Sequence, residues 1–428
     1  MKRRTFLARG GGLVGAAALG SKAAQTLAGG ELLPPPARDP ARGARLPRSG
    51  GRIVVVGAGA FGGWTALHLA EAGVEVVLVD AYGPGSARAT SGGDSRGLRF
   101  AYGDRAIYTR WAVEAAQRWR VRQEEWGTEL MLTTGRISLF PALTEATRTT
   151  MSVLEGAGVD HEWIEGAEVG RRWPQVAPAG VGGALWEPDA TAIRANLACR
   201  VVAANVEAAG GELRVARALP PSDGPAPAAG RLPALGFEGG DSLEADAFVF
   251  ACGSWLAGLF PDLLGDQISV PRRDVFFFGP PAGDDRFSHP NLPNFSEGSR
   301  SVYGFPDLDG FGFKVAPFGG LDPFDPDTDE RVPAAHWLRR AREYLALRFP
   351  AMADQPLVHS RVCQLENAPG DHFLIDRHPE LENVWIAGGG SGHAFKHGPV
   401  LGEYIARRVL GQETDPELDA LWRVSAPD

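Results

Sequence analysis

A glycine-rich turn between a buried strand and a helix constrains the fold of this chain more than any other feature. The apolar run 53–56 leads directly into Gly57, Gly59 and Gly62, which have the spacing G-x-G-x-x-G. Asp80 follows 23 residues after Gly57, at the end of a second apolar run. The pattern predicts a βαβ dinucleotide-binding unit. The alternative is a glycine-rich turn in an ordinary α/β fold.

The three glycines and the acid each have a physical role in such a unit. The first glycine permits the tight turn, the second lets a pyrophosphate approach the backbone, and the third allows close packing of helix and strand. The helix N-terminus then stabilises the phosphate charge. Asp80 is placed to bind ribose hydroxyls, which argues against a 2′-phosphorylated dinucleotide.

Composition and charge exclude several function classes. The 428 residues carry a formal net charge of −9, so the basic surface of a nucleic-acid-binding protein is absent. Three cysteines do not make a disulfide framework in a chain of this length. The nine histidines show no metal-ligand spacing, so no metal site is predicted.

The N-terminus resembles a bacterial twin-arginine signal. Arg3 and Arg4 precede Phe6 and a Gly/Ala-rich run, so residues 1–30 are predicted to be an export signal and 31–50 a linker. The protein would then reach the periplasm or the exterior through the twin-arginine export machinery, already folded around its cofactor. The apolar run is too short for stable membrane insertion. A disordered basic start is the alternative.

Along the chain, the predicted elements place a nucleotide fold in separated segments. Helices are expected at about 60–72, 104–126, 190–210, 333–348 and 399–410, and short aromatic runs between 267 and 320 indicate an antiparallel sheet. The chain is predicted to be α/β: a Rossmann-like FAD-binding domain with an inserted α+β substrate domain built on an antiparallel sheet. The first domain is predicted at 51–129, 181–264 and 355–412, the second at 130–180 and 265–354, and a C-terminal tail at 413–428.

Two further segments carry the chemistry. Residues 91–103 form a polar turn with Arg96 and Arg99, which read alone would be solvated loop charges. Near the C-terminus, Cys363 precedes 372–376 (His-Phe-Leu-Ile-Asp) and 388–396 (Gly-Gly-Gly-Ser-Gly-His-Ala-Phe-Lys). With these motifs, the chain resembles the flavin-dependent amine oxidases of the monomeric sarcosine oxidase and N-methyltryptophan oxidase type, within the D-amino-acid-oxidase-like superfamily.

The resemblance implies roles at the first segment. The family has Gly-Asp-Thr-Arg-x-x-Arg-x-Ala-Tyr-Gly there, and this chain matches it with Ser95 in place of threonine. By this resemblance, Arg96 is expected to lie near the flavin ring, and Arg99 is expected to bind the substrate carboxylate.

The C-terminal segment implies a covalent flavin. Cys363 matches the cysteine that the family joins to the flavin, although Leu365 stands where tyrosine is frequent, and a buried inert thiol is the alternative. Glycines 389–392 are expected along the flavin edge, where backbone N–H groups approach closely. The residues predicted to hold the flavin are Gly57, Gly59, Phe61, Gly62, Asp80, Ser95, Arg96, Cys363, Gly389, Gly390, Gly392 and Lys396.

Three further positions inherit roles near the substrate. Lys396 would be the second cation on the substrate carboxylate, with a surface lysine as the alternative. Lys314 matches a lysine that promotes the reaction with oxygen, and Tyr303 matches a pocket tyrosine; with Arg96 they are the predicted catalytic residues. The alternative for Lys314 and Tyr303 is packing in the sheet. Phe318 departs from the family, which usually has histidine there, so proton exchange at this position is lost.

The resemblance implies flavin-dependent oxidation of a secondary or N-methylated amino acid to an imine, with O2 as electron acceptor and hydrogen peroxide as product. FAD is the expected cofactor and a small amino acid or amine the expected partner. Two alternatives remain: a periplasmic dehydrogenase that passes electrons to a quinone or carrier, and a flavin-binding protein without turnover. Substrate identity and oligomeric state are not predicted.

Overall fold

The computed structural model describes residues 51–228, 230–320, 322–412 and 414–425. The predicted signal at 1–30 and the linker at 31–50 lie outside the described residues. The predicted tail at 413–428 is described only over 414–425.

The strands are β1 (Arg52–Val56), β2 (Glu75–Asp80), β3 (Ser95–Leu98), β4 (Met131–Thr133), β5 (Arg136–Phe140), β6 (Glu162–Glu165), β7 (Gly183–Glu187), β8 (Thr191–Arg194), β9 (Glu212–Val215), β10 (Ala234–Gly236), β11 (Ser242–Glu244), β12 (Ala247–Phe250), β13 (Arg272–Phe278), β14 (Asn294–Glu297), β15 (Val302–Phe305), β16 (Phe313–Pro317), β17 (Leu357–Gln364), β18 (Leu374–Arg377) and β19 (Val384–Gly388).

The helices are α1 (Gly62–Glu71), α2 (Ala106–Glu125), α3 (Glu145–Gly156), α4 (Gly166–Arg172), α5 (Ala195–Ala208), α6 (Leu256–Leu259), α7 (Pro261–Leu264), α8 (Ala335–Arg348), α9 (Gly398–Val409) and α10 (Pro416–Leu421). No helix in the described ranges has the length and apolar composition needed to span a bilayer.

A six-stranded sheet in the order β18-β19-β12-β1-β2-β9 carries the glycine-rich turn. Its strands pair in parallel, except that β18 is antiparallel to β19. Ile53 and Val55 pack into a core with α1, α2 and α9, whereas Val54 and Val56 pack into a second core on the opposite face. Because both faces are covered, β1 is apolar at four consecutive positions, as expected of a central parallel strand.

The second large sheet has eight strands in the order β17-β13-β16-β15-β14-β5-β7-β6. Its neighbours are antiparallel, apart from the parallel pair of β14 and β5. One face packs against α8 through a core that includes Ile137, Phe295 and Tyr344. Side chains on the other face border the cavity described below. A sheet of this kind matches the predicted substrate region.

Some elements differ from those predicted. The helix expected at 190–210 begins only at Ala195, because residues 191–194 form β8, which pairs with both β3 and β4. The described residues belong to one compact unit. Strands β7 and β17 both belong to the eight-stranded sheet, although each falls within a segment predicted for the FAD-binding domain. The domain boundaries themselves stay a prediction.

Candidate active site

The turn after β1 is built so that only glycine fits. Gly57 has φ +105°, and a Cβ there would lie 2.2 Å from the carbonyl oxygen of Ala251. A Cβ on Gly62 would lie 1.9 Å from the Gly57 carbonyl oxygen, so this glycine lets α1 start against β1. Gly59 faces Ser91, whose hydroxyl accepts a hydrogen bond from the Ala60 N–H at 3.2 Å. Gly57 and Gly59 line the cavity described below, so the backbone of the turn is accessible to a ligand.

Asp80, at the end of β2, lies beside this turn. Its Oδ2 accepts from the Ala58 N–H at 2.8 Å and its Oδ1 from the Tyr82 N–H at 2.9 Å. Burial raises the pKa of Asp80, although these backbone donors lower it. Each carboxylate oxygen has a further lone pair, so the group is positioned to accept from ribose hydroxyls as well.

A cavity of about 1180 Å³ begins at this turn and is bordered by both large sheets. Most of the predicted site residues line it, whereas Gly62 and Gly389 do not border it. The predicted residues on its wall are Gly57, Gly59, Phe61, Asp80, Ser95, Arg96, Arg99, Tyr303, Lys314, Phe318, Cys363, Gly390, Gly392 and Lys396. The structure thus brings motifs from both ends of the chain to one cavity.

Ser95, Arg96 and Lys314 form a cluster on this cavity wall. The Lys314 ammonium donates to the Ser95 hydroxyl at 3.1 Å and to its carbonyl oxygen at 3.2 Å. Arg96 donates to the carbonyl oxygens of Ser95 and Thr90. Burial, reinforced by the Arg96 charge, lowers the pKa of Lys314 to about 7. The Lys314 side chain is therefore expected to change from the charged to the neutral form near pH 7.

Cys363 lies on β17, with its sulfur 3.9 Å from Nη2 of Arg96. Burial alone would raise the pKa of the Cys363 thiol, but the charges of Arg96, Arg361 and Lys314 outweigh it and lower the pKa below its ordinary value. A thiolate is the nucleophilic form of cysteine. The thiol thus has the electropositive surroundings of a reactive cysteine.

The part of the cavity wall that carries Arg99 and Lys396, called the substrate end below, is cationic. The Lys396 ammonium donates to the Tyr102 hydroxyl at 2.6 Å and to the His393 carbonyl oxygen at 3.0 Å. The Arg99 guanidinium stacks over the Tyr102 ring at 4.2 Å from its centroid, and it also donates to the Ala101 carbonyl oxygen. Burial, and then the charges of Arg99 and Arg136, lower the pKa of Lys396 well below its ordinary value. An anion bound here would relieve that repulsion and favour the charged lysine.

Tyr303 and Phe318 add an aromatic wall, with ring centroids 6.2 Å apart. Burial raises the pKa of Tyr303, so its hydroxyl is a neutral hydrogen-bonding group. Phe318 stands where a histidine was expected from the family, and it offers the cavity no group that exchanges protons.

Three ionisable residues at this site are not predicted from the sequence. Arg136 borders the substrate end, and Glu187, fully buried, accepts from the Phe100 and Ala101 N–H groups at 2.7 and 2.9 Å. Glu366 accepts from the Gly389 N–H at 2.9 Å, and burial raises its pKa to about 7. Polar and apolar residues alternate along β5, and this pattern could have indicated that Arg136 lies on the face of the sheet away from the core. No sequence pattern indicates the two glutamates.

The residues present fit FAD. The cavity exceeds the usual size of a small-ligand pocket, which is about 300–1,000 Å³, as a dinucleotide requires. Gly59 exposes backbone near the start of α1 and Asp80 offers its carboxylate, and Gly390 and Cys363 also border the cavity. These positions suit the pyrophosphate, the ribose and the ring of the dinucleotide.

Comparisons with known proteins identify the family of this chain. A family model described as FAD dependent oxidoreductase matches residues 52–408. A monomeric sarcosine oxidase of Bacillus sp. (strain B-0618) is 28% identical over 381 residues, covering 88% of this chain and 96% of that protein. An N-methyl-L-tryptophan oxidase of Salmonella enteritidis PT4 (strain P125109) is 25% identical over 374 residues, covering 86% of this chain and 96% of that protein.

Among solved structures, L-proline dehydrogenase from P. horikoshii has the same fold, with a TM-score of 0.74 at 20% identity, covering 88% of this chain and 97% of that one. The chain belongs to the FAD dependent oxidoreductase family. The predicted fold class, enzyme class and FAD cofactor are confirmed.

Proposed function

We propose that this FAD-dependent oxidoreductase oxidises a secondary or N-methylated amino acid to an imine. The observation that carries the proposal is a pair of cations on the cavity wall, the buried Lys396 and the half-buried Arg99, which both contact Tyr102. The relatives named monomeric sarcosine oxidase and N-methyl-L-tryptophan oxidase support a substrate of this kind.

Arg99 and Lys396 bind the substrate carboxylate. A guanidinium offers paired donors and an ammonium adds a point charge, so together they fix the orientation of a planar anion. The Tyr102 hydroxyl, which accepts from Lys396, holds the ammonium in place. Because the lysine is only 3% exposed, water competes weakly for its charge.

Tyr303 and Phe318 form an aromatic part of the cavity wall. Bound FAD supplies the two-electron oxidation of the carbon–nitrogen bond. Phe318 accepts no proton, so the amine binds as the free base or loses its proton to solvent first. The imine formed is released for hydrolysis.

Molecular oxygen is the proposed electron acceptor, with hydrogen peroxide as product. Lys314 provides a cation for the negative charge that develops on oxygen. A second cavity of about 430 Å³ borders Lys314 and Ser95, and it supports access to the lysine without passage through the substrate end. A dehydrogenase that delivers electrons to a quinone or carrier uses the same site and is the second candidate.

Export and covalent attachment belong to the same proposal. The twin-arginine-like start of the chain supports a periplasmic or secreted location, reached after folding around FAD. The lowered pKa of Cys363 and its position on the cavity wall support a covalent bond to the flavin.

The test is anaerobic mixing of the purified yellow protein with N-methyl amino acids and their primary counterparts. We expect loss of the oxidised-flavin absorbance with at least one N-methyl amino acid, and return of the colour with stoichiometric peroxide when air is admitted. Rapid bleaching without reoxidation by air would favour the dehydrogenase. No bleaching with any member of the panel would contradict the proposal.

A further inference from the structure

A third cation borders the substrate end of the cavity beside Arg99 and Lys396. The Arg136 guanidinium, on β5, donates from Nη2 to the Ser296 hydroxyl at 2.7 Å and from Nε to the Ser138 hydroxyl at 3.3 Å. The two hydroxyl oxygens are 3.2 Å apart. Hydroxyls are neutral, so these contacts orient the guanidinium without neutralising its charge.

Strand geometry places these three polar residues on the cavity side of the eight-stranded sheet. Arg136 and Ser138 are two residues apart on β5, so they share a face, and Ser296 lies opposite Ser138 on β14. The intervening Ile137 and the following Leu139 point to the other face and are buried in the core against α8. The group is therefore fixed by the pairing of two strands.

One edge of the Arg136 guanidinium has no hydrogen-bond partner among the described residues, and the residue borders the cavity. Nη1 of Arg136 approaches Gly97 of β3, where a Cβ added to the glycine would lie 3.9 Å from it. This nitrogen has no hydrogen-bond acceptor among the described residues. The nearest carboxylate is that of Glu187, whose Oε2 is 4.0 Å from Nε of Arg136, beyond hydrogen-bonding distance. Nη1 is therefore available to a ligand.

The charges at this end do not balance without a ligand. With Lys396 protonated, as a bound anion favours, it joins Arg99 and Arg136 as a third positive group, and among the described residues Glu187 is the carboxylate that acts on both Lys396 and Arg136. Burial, followed by the Arg99 charge, lowers the pKa of Arg136 to about 10, which leaves it charged at neutral pH. A ligand with one carboxylate would leave an excess positive charge in a buried space, whereas a ligand with two acidic groups would remove it.

We propose that the substrate is a dicarboxylic N-substituted amino acid, whose side-chain carboxylate is bound by Arg136, Ser138 and Ser296. This inference rests on the proposed function, since the first carboxylate is the one that Arg99 and Lys396 hold. Arg136 is then the specificity-determining residue. The competing explanation is that Arg136 serves only to offset the charge of Glu187.

Binding to the oxidised holoenzyme tests the charge argument without turnover. Glutarate and butyrate differ by one carboxylate, and their dissociation constants are measured by calorimetry. Glutarate is expected to bind at least ten-fold more tightly to the wild type, and Arg136→Gln is expected to remove that preference. Equal affinities of glutarate and butyrate for the wild type would overturn the inference.

Flavin reduction under anaerobic conditions tests the substrate class. N-methylglutamate and N-methylglutamine have nearly the same shape and differ in side-chain charge. Arg136→Gln should slow reduction by N-methylglutamate about 10- to 100-fold and change that by N-methylglutamine less than two-fold. Arg136→Lys, which keeps the charge, should restore part of the preference for the acid.

The outcomes separate the inference from the proposed function. If Arg136→Gln slows both substrates equally, Arg136 supports Glu187 only and the inference is wrong, while the proposed function stands. If no N-substituted amino acid reduces the flavin, the proposed function fails, and the glutarate and butyrate affinities still decide whether Arg136 binds a second carboxylate. Thermal unfolding of both variants shows whether the folded protein is retained.

Discussion

The two ends of the cavity differ in which part of the chain forms them. At the nucleotide end, the ligand-facing groups are the backbone of the turn around Gly59 and one carboxylate, Asp80. At the substrate end they are long cationic side chains, Arg99, Arg136 and Lys396, from separate parts of the chain. Ligand binding at the nucleotide end depends on close approach to the backbone. At the substrate end it depends on charged side chains that the fold brings together from distant parts of the sequence.

This difference predicts different responses to substitution. A change at the nucleotide end should affect folding and cofactor retention, because the turn has no spare volume. A change at the substrate end should affect substrate use while the flavin remains bound. The following substitutions test that separation, in order of decreasing effect.

Gly57→Ala should have the largest effect. The added Cβ meets the Ala251 carbonyl oxygen at 2.2 Å and forces alanine to φ +105°. Strain and overpacking together should cost about 2–6 kcal/mol of the free energy of unfolding and remove most of the bound FAD. Thermal unfolding and flavin content measure both effects.

Gly73→Ala is the matched control for that substitution. Gly73 also has a positive φ, +80°, but no atom lies within 4 Å of the added Cβ. It should cost only about 1–2 kcal/mol and leave the flavin content unchanged. Equal destabilisation by the two variants would show that close backbone approach at Gly57 is not what matters.

Arg99→Gln should act at the other end alone. Losing a charge-assisted contact to the substrate carboxylate should lower kcat/KM about 10- to 100-fold, with full flavin content. Arg110→Gln, on the exposed face of α2, is the control and should leave kcat/KM unchanged. Loss of flavin from the Arg99 variant would contradict the separation of the two ends.

Lys314 should give the reaction with oxygen a pH dependence. Because burial and Arg96 lower its pKa to about 7, the lysine is charged below that pH and neutral above it. Reoxidation of the reduced enzyme should therefore slow as pH rises through about 7, as measured by stopped-flow absorbance.

Substitution of Lys314 supplies the control. The Lys314→Met variant should reoxidise about 10- to 100-fold more slowly than the wild type at pH 6, at a rate that does not depend on pH. The arginine of Lys314→Arg should stay charged across the range, so its reoxidation rate should also not fall as pH rises through 7. A wild-type reoxidation rate that does not change between pH 6 and 9 would argue against a titrating lysine.

Cys363→Ala should have the smallest effect on the assembled site. The other contacts of the cavity wall remain, so FAD should still bind, but acid precipitation should release it from the variant and not from the wild type. Release of free FAD from the wild type as well would show that no covalent bond forms.

The nucleotide end could be predicted from sequence because its determinants are local. The strand, the three glycines and Asp80 lie within 29 residues, between Arg52 and Asp80, and β1, α1 and β2 form the predicted βαβ unit. The roles of Arg99 and Lys396 were predicted only through the family resemblance. Neither residue lies in a local pattern that distinguishes a ligand-binding cation from a surface charge.

The substrate end required the three-dimensional structure for physical reasons. Strand β17 lies at the sheet edge and mixes polar and apolar residues, so its sequence has no strong strand period. Arg136 and Ser296 are 160 residues apart, and only the pairing of β5 with β14 brings them together. The buried Glu187 and Glu366 have no sequence signal, because their backbone donors come from distant loops.

The most direct measurement compares flavin reduction by an N-methyl amino acid with reduction by the same amine lacking its carboxylate, under anaerobic conditions. If Arg99 and Lys396 hold the carboxylate, the acid should reduce the flavin at least 100-fold faster at equal concentration. Equal rates for the two amines would contradict the carboxylate-binding role of the cationic end.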